Sequence, residues 1–157
     1  MREPMPPASV APRLATAADI PALFSVRTSV RENHLDLAQL AARGVTPASI
    51  AGMLAAGAAR SWVIEEPRGV VAFSMADAQV GTVFALFVRP EAEGRGYGRA
   101  LLQAAEAWLF AAGWSTIWLQ TGKEPHLRAH RLYRAAGWVL VGPADDEDVR
   151  YEKRRVG

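Results

Sequence analysis

The sequence predicts a single α/β domain of the α+β type, with a mixed, mostly antiparallel sheet of about six or seven strands flanked by about four helices. Three observations carry this. Between residues 61 and 88, three apolar runs are separated by turns too short for a crossover, which implies an antiparallel meander. From residue 82 onward the pattern changes to strand–helix–strand, and that long connection favours one parallel pair. A chain of 157 residues, 50% hydrophobic, is long enough to bury one proper core.

Residues 1–9 read as a Pro-rich flexible tail and residues 10–157 as the domain. Leu14 ends a short apolar stretch that suits an opening strand. Thr16 or Asp19 can cap a helix running to about Glu32, with Pro21 near its start, where proline is tolerated. Its apolar stripe is Ile20, Leu23, Phe24 and Val30. Arg27 stands in phase with that stripe, where leucine is expected, and Arg31 lies beside it. Thr46-Pro47 opens a second helix that carries Ile50, Met53 and Leu54 and stops at Gly57.

Strands at 61–65 and 70–75 flank the turn 66–69, and a turn near 77–81 leads into a strand at 82–88. A helix from about Gly96 to Ala112 buries Leu101, Leu102, Ala105, Trp108 and Leu109. A strand at 116–120 and a shorter helix follow, the helix presenting Ala129, Leu132, Tyr133 and Ala136 on one face. Strands at 138–141 and 149–154, joined by the acidic turn 142–148, complete the chain.

Composition excludes several classes. No apolar run approaches membrane-spanning length, and MREPMPPASVAP lacks the apolar core of a signal peptide, so a cytoplasmic location is expected. With no cysteine there is no disulfide framework, thiolate nucleophile or Cys-ligated metal, and no metal is expected. The net charge is +2, with Lys123 and Lys153 the only lysines, and no basic stripe interleaves with aromatics. Nucleic acid is therefore not an expected partner. Trp62, Trp114, Trp118 and Trp138, on or beside strands, read as core or pocket wall.

The stretch Gly94-Arg95-Gly96-Tyr97-Gly98-Arg99, between an apolar strand and a helix, has the parts of an anion cradle. Glycines let the backbone approach an anion, and the first-turn N–H groups point outward at the positive end of the helix dipole. A dinucleotide fingerprint would need glycine where Arg99 stands, and a P-loop would need Gly-Lys-Ser/Thr; neither is present.

Leu86-Phe87-Val88-Arg89-Pro90, with Glu93 to Leu102, resembles the acyl-CoA-binding motif of the GNAT superfamily of N-acetyltransferases. His126 to Trp138 resembles that superfamily's later motif of Asn-x-x-Ala, Tyr and Gly-Phe, and the resemblance covers about residues 10–155. It implies acetyl-CoA as co-substrate, with the backbone amides of Arg95, Gly96, Gly98 and Arg99 on the pyrophosphate. It also implies that Phe87 and Val88 pair with the pantetheine arm, that the Val88 N–H stabilises an oxyanion, and that Tyr133 is the general acid. Two positions depart from the family pattern: Glu93 replaces Gln or Arg, and His126 replaces the asparagine of the cofactor-binding motif. Glu93 is expected to turn outward or to pair with an arginine such as Arg95.

On the acceptor side, Arg27, Arg31 and Asn33 are expected to face the site and to favour an anionic acceptor. The alternative is an internal salt bridge, to Glu32 or Asp77. No general base is legible: Glu32, His34, His126 and a water relay all stay open. The reading is an N-acetyltransferase acting on a primary amine of a small molecule by direct attack in a ternary complex. A protein or peptide N-acetyltransferase and a non-catalytic acyl-CoA sensor are the alternatives, and a homodimer is an expectation of the family.

Overall fold

The computed structural model describes residues 10–156, so the tail expected at 1–9 lies outside the described residues. The chain runs β1 (Arg13–Leu14), a 3-10 turn (Ala17–Asp19), α1 (Ile20–Ser29), α2 (Leu37–Ala42), α3 (Pro47–Ala56) and β2 (Ala59–Glu66). It continues β3 (Gly69–Asp77), β4 (Thr82–Val88), α4 (Tyr97–Ala111), β5 (Thr116–Gly122), α5 (Arg128–Ala135), β6 (Val139–Pro143) and β7 (Asp148–Arg154). The sheet order is β1-β2-β3-β4-β5-β7-β6, antiparallel except for the β4–β5 pair. This is the mixed, mostly antiparallel sheet that the short turns and single crossover imply.

Two helical details differ from the sequence reading. α1 ends at Ser29 rather than near Glu32, with Val30 already extended. Thr28 Oγ1 donates to Phe24 O at 2.9 Å and Ser29 Oγ to Val26 O at 2.6 Å. Such hydroxyl bonds compete with the continuing backbone ladder. α2 is an additional, fifth helix, opened by a capping box in which Asp36 Oδ1 accepts from Gln39 N and Gln39 Oε1 accepts from Asp36 N.

Helices cover both faces of the sheet, so β3 is buried along nearly its whole length. On one face Leu23, Phe24, Leu40 and Ile50 of α1–α3 pack on Val63, Phe73 and Met75. On the other, Leu101, Leu102 and Leu109 of α4 and Tyr133 of α5 pack on Ile64, Ala72 and Tyr151.

Two irregularities in β4 prepare a site. Met75 and Ala76 of β3 pair with Ala85 and Val83, which leaves Phe84 as the extra residue of a β-bulge, 40% exposed. The parallel pairing with β5 is confined to Thr82 opposite Trp118. Beyond that point β4 and β5 diverge, and a crevice opens at the carboxyl ends of two parallel strands.

Candidate active site

The backbone that faces this crevice follows from the antiparallel ladder. Arg89 N donates to Val71 O at 2.9 Å, on the β3 side. Bonded and unbonded residues alternate, so Val88, opposite Ala72, turns its N–H and C=O away from β3 toward the opening. Phe87, one residue earlier, has its backbone on the β3 side. Its ring lies on the α1 face, 5.7 Å from the Phe73 ring. The sequence grouped Phe87 and Val88 as backbone partners of one ligand. In the structure Val88 keeps that orientation, while Phe87 presents its ring to the opposite side of the sheet.

The glycine segment sits beside the crevice. Gly94 and Gly96 take φ of +78° and +81°, a backbone form that costs L-residues with side chains about 1 kcal/mol or more. Among the described residues, no backbone N–H from Gly94 to Arg99 donates a hydrogen bond, and a Cβ at Gly96 would meet nothing within 4 Å. Six consecutive free donors around an open space at a helix N-terminus suit a pyrophosphate. Gly98 serves a second purpose: a Cβ there would lie 3.3 Å from Leu132 Cδ2, so the missing side chain lets α4 pack closely on α5.

Charges around the cradle are sorted differently from the sequence expectation. Arg95 pairs with Glu66 at the end of β2, and Tyr97 donates to the same Glu66 oxygen at 2.6 Å. The Tyr97 bond, ahead of Arg95, holds the Glu66 carboxyl below the usual carboxylate range, and Glu66 in turn raises the Tyr97 phenol. Glu93 pairs with Arg128 at 2.8 Å, not with Arg95, which removes its charge from the cradle. Arg99 is exposed and forms no ion pair among the described residues, so it is the cation left free there.

Tyr133 is buried among Trp138 and Tyr151, with ring centroids 6.2 and 5.5 Å away. Burial, and secondarily Tyr151, push its phenol well above the usual value, which keeps it protonated. Its hydroxyl makes no hydrogen bond among the described residues.

His130, one turn before Tyr133 on the buried face of α5, was not singled out by the sequence. Its Nε2 bonds the Gly122 carbonyl at 2.9 Å, and its Nδ1 bonds the Tyr151 hydroxyl at 2.7 Å. A carbonyl only accepts, so Nε2 carries a proton. The i, i+3 spacing of His130 and Tyr133 was the available signal.

On the other face of β4 lies a cavity of about 420 Å³ walled by α1, the α2–α3 segment, β3 and β4. Leu23, Ile50, Met53, Phe84 and Phe87 give it an apolar lining, and Arg27 and Arg43 are its charged side chains. Arg27 faces it as its phase with the apolar stripe implied, with its guanidinium carbon 4.3 Å from the Phe87 ring centre. No salt bridge to Glu32 or Asp77 forms.

Arg31 and Asn33 do not line this cavity. Both are exposed in the turn after α1, where Glu32 Oε2 accepts the first helical N–H of α5, from Arg128, at 3.1 Å. His34 Nδ1 contacts Val30 O, and His126 is exposed without a hydrogen bond among the described residues. None of the base candidates reaches the cavity. The tryptophans do not line it either. Trp62 and Trp138 are core, and Trp108, only half-buried, meets Trp62 edge-on.

A family model described as "Acetyltransferase (GNAT) family" matches residues 28–138, well over half of the chain. The chain belongs to the GNAT acetyltransferase family. The match spans the crevice strand, the glycine cradle and α5 together, and acetyl-CoA as co-substrate accords with it. Mycothiol acetyltransferase of Stackebrandtia nassauensis is 36% identical over 78 residues, which are 50% of this chain and only 24% of that protein.

Among solved structures, the PaiA N-acetyltransferase of Thermoplasma acidophilum, in complex with coenzyme A, superposes with a TM-score of 0.78 at 14% identity. That match covers 94% of this GNAT chain and 99% of the other. The ribosomal-protein-alanine N-acetyltransferase of Brucella melitensis gives 0.72 at 19% identity, covering 93% and 100%. At such identities these likenesses show the shared fold. Among the described residues no helix is long and apolar enough to cross a membrane.

Proposed function

We propose that this GNAT protein transfers an acetyl group from acetyl-CoA to the primary amine of a small molecule, by direct attack with both substrates bound. One observation carries the reading: β4 parts from β5 just past Thr82, between the free-donor cradle on one side and the walled cavity on the other. Acetyl-CoA supplies the acetyl group as an activated thioester. The free N–H groups of Arg95, Gly96, Gly98 and Arg99 hold its pyrophosphate, with the Arg99 guanidinium beside them. Val88 N–H, turned into the crevice, donates to the carbonyl oxygen as it gains charge.

The amine nitrogen forms the amide bond as the C–S bond breaks, and its proton leaves to solvent, since among the described residues no carboxylate or histidine lines the cavity. Tyr133, held protonated by burial, gives its phenolic proton to the departing sulfur and regains one from water. A small acceptor fits better than a peptide because α2 and α3 wall the cavity where an extended chain would need an open groove.

The test is thiol release from acetyl-CoA against free amino acids, polyamines, aminoglycosides and short peptides. Release with free amines but not with peptides is expected. Peptide turnover would shift the reading to a protein N-acetyltransferase, and coenzyme binding without release across the whole panel would leave a sensor.

A further inference from the structure

We infer that the acceptor is an amphipathic amino acid, a primary amine carrying a carboxylate and an apolar side chain, and that Arg27 is the residue that seats its carboxylate. The inference rests on the reading of the β4 cavity as the acceptor site. It narrows that reading to one chemical class.

Among the described residues, Arg27 is a half-buried cation with no ion-pair partner. Arg27 lies on α1 one turn after the buried Leu23 and Phe24, and its Nη1 is sealed from solvent without a hydrogen-bond partner among the described residues. Among the described residues no carboxylate pairs with it, and burial, then the charge of Arg43, weaken the hold of its guanidinium on the proton. The Phe87 ring offers its face to the cation but no acceptor of hydrogen-bond quality to the five N–H donors of the fork. A half-buried cation with one sealed, unmet nitrogen opposes folding, so its presence calls for a ligand that completes it.

The cavity specifies that ligand. Among the described residues two arginines and no acid line it, so a polycationic acceptor is repelled and an anion is attracted. The guanidinium fork matches a planar carboxylate bidentately. Leu23, Leu40, Ile50, Met53 and Phe84 supply apolar contact for a hydrocarbon or thioether side chain. The Phe87 ring, under Arg27, is one residue from Val88. A carboxylate on Arg27 therefore leaves the amine, one carbon away, near the crevice into which the Val88 N–H points.

The experiment compares L-leucine, L-methionine and L-phenylalanine with isoamylamine, 3-(methylthio)propylamine and phenethylamine, the same side chains without the carboxylate. In thiol-release assays the carboxylated member of each pair should have the higher kcat/KM by at least roughly fiftyfold, the scale of a lost charge-assisted bidentate pair, and spermidine should be poor. Arg27→Met should collapse that ratio to within a few-fold and leave the KM for acetyl-CoA close to wild type. Calorimetric binding of N-acetyl-L-leucine should weaken in the same variant. Removing an unpaired buried charge should also raise Tm, so the variant is expected to fold. Arg43→Met, at an exposed position lining the same cavity, should have a smaller effect on the ratio.

Equal turnover of each pair, or a preference and a ligand affinity indifferent to Arg27→Met, would overturn the carboxylate seat while transfer itself stands. Arg27-dependent binding of L-leucine and N-acetyl-L-leucine with no thiol release from any amine would support the seat and remove the transfer reading.

Discussion

The Tyr97 hydroxyl reaches Glu66 Oε2 at 2.6 Å, which ties the first residue of α4 to the last residue of β2. Arg95 meets the same oxygen, and Arg68 meets Oε1 at 3.2 Å. One carboxylate thus fixes two residues of the glycine cradle against the β2–β3 turn, and Arg95 is spent on shape rather than on direct charge toward a ligand. The cradle's free donors are its backbone N–H groups and the Arg99 side chain.

Glu66→Gln keeps the length of the side chain and removes its charge. Because Glu66 positions the cradle and touches no substrate, the KM for acetyl-CoA should rise roughly threefold to tenfold. The value of kcat should stay within about twofold. Steady-state thiol release at saturating acceptor checks this. A fall in kcat with unchanged KM would place Glu66 elsewhere in the mechanism.

Tyr133→Phe removes the phenolic hydroxyl, the proposed proton donor, and little else from a packed aromatic cluster. Turnover should drop by about a hundredfold or more, the usual scale for a general acid. The calorimetric affinity for acetyl-CoA should hold. The pH dependence has a definite sign: a phenol donates while protonated, and burial raises the Tyr133 pKa, so its acid form persists to higher pH than in water. Wild-type kcat should therefore show no Tyr133-dependent fall up to about pH 10. A basic limb below about pH 9 that disappears in Tyr133→Phe would reverse the assignment of burial as the dominant influence.

Arg13 and Asp19 form a bidentate pair, with Nη1 to Oδ2 at 2.9 Å and Nη2 to Oδ1 at 3.0 Å. Asp19 Oδ2 also accepts from Thr16 N at 2.7 Å, which closes the turn into α1. These bonds, led by Arg13, depress the Asp19 pKa against the opposing effect of burial. A depressed carboxyl stabilises the fold above its unfolded value, near 3.9, and that contribution is lost as pH falls through the lower folded value. Asp19→Asn should lower Tm at pH 7. The gap from wild type should close between about pH 4 and pH 2, as thermal melts across that range would show.

The sequence carried the sheet because each strand announced itself through apolar runs and turn residues, and the crossover at residue 82 marked the single parallel pair. The glycine segment and Tyr133 could be singled out as candidates because glycine alternation and the α5 motif are local in the chain. α2 escaped notice because two leucines in six residues give no measurable period, although Asp36 and Gln39 stood at capping-box spacing. Partner choice was the least legible. Glu66 and Tyr97 are 31 residues apart, Glu93 and Arg128 are 35 apart by number, and only the fold brings each pair together. The Phe84 bulge depends on a register between β3 and β4 that no local pattern encodes. Arg27 was the exception: its phase on α1 already marked it as a cation that needed a partner or a cavity.

Gly96 and Gly98 are two residues apart in one motif, and their alanine variants should fail in different ways. Gly96 has φ of +81° and open space where a Cβ would go, so Gly96→Ala strains the backbone of the cradle itself. The direction of its N–H groups changes, and the KM for acetyl-CoA should rise more than kcat falls. Gly98 lies inside the first turn of α4, where alanine is a better helix former by about 1 kcal/mol. Its Cβ would stand 3.3 Å from Leu132 Cδ2, so Leu132 must give way, and Leu132 precedes Tyr133 on α5. The cradle N–H groups survive that change while the packing behind Tyr133, the proposed proton donor, shifts. Gly98→Ala should therefore lower kcat with a smaller change in the KM for acetyl-CoA. Parallel kinetics on the two variants check the split. The same kinetic pattern in both would mean that Gly98 serves the anion rather than the contact between α4 and α5.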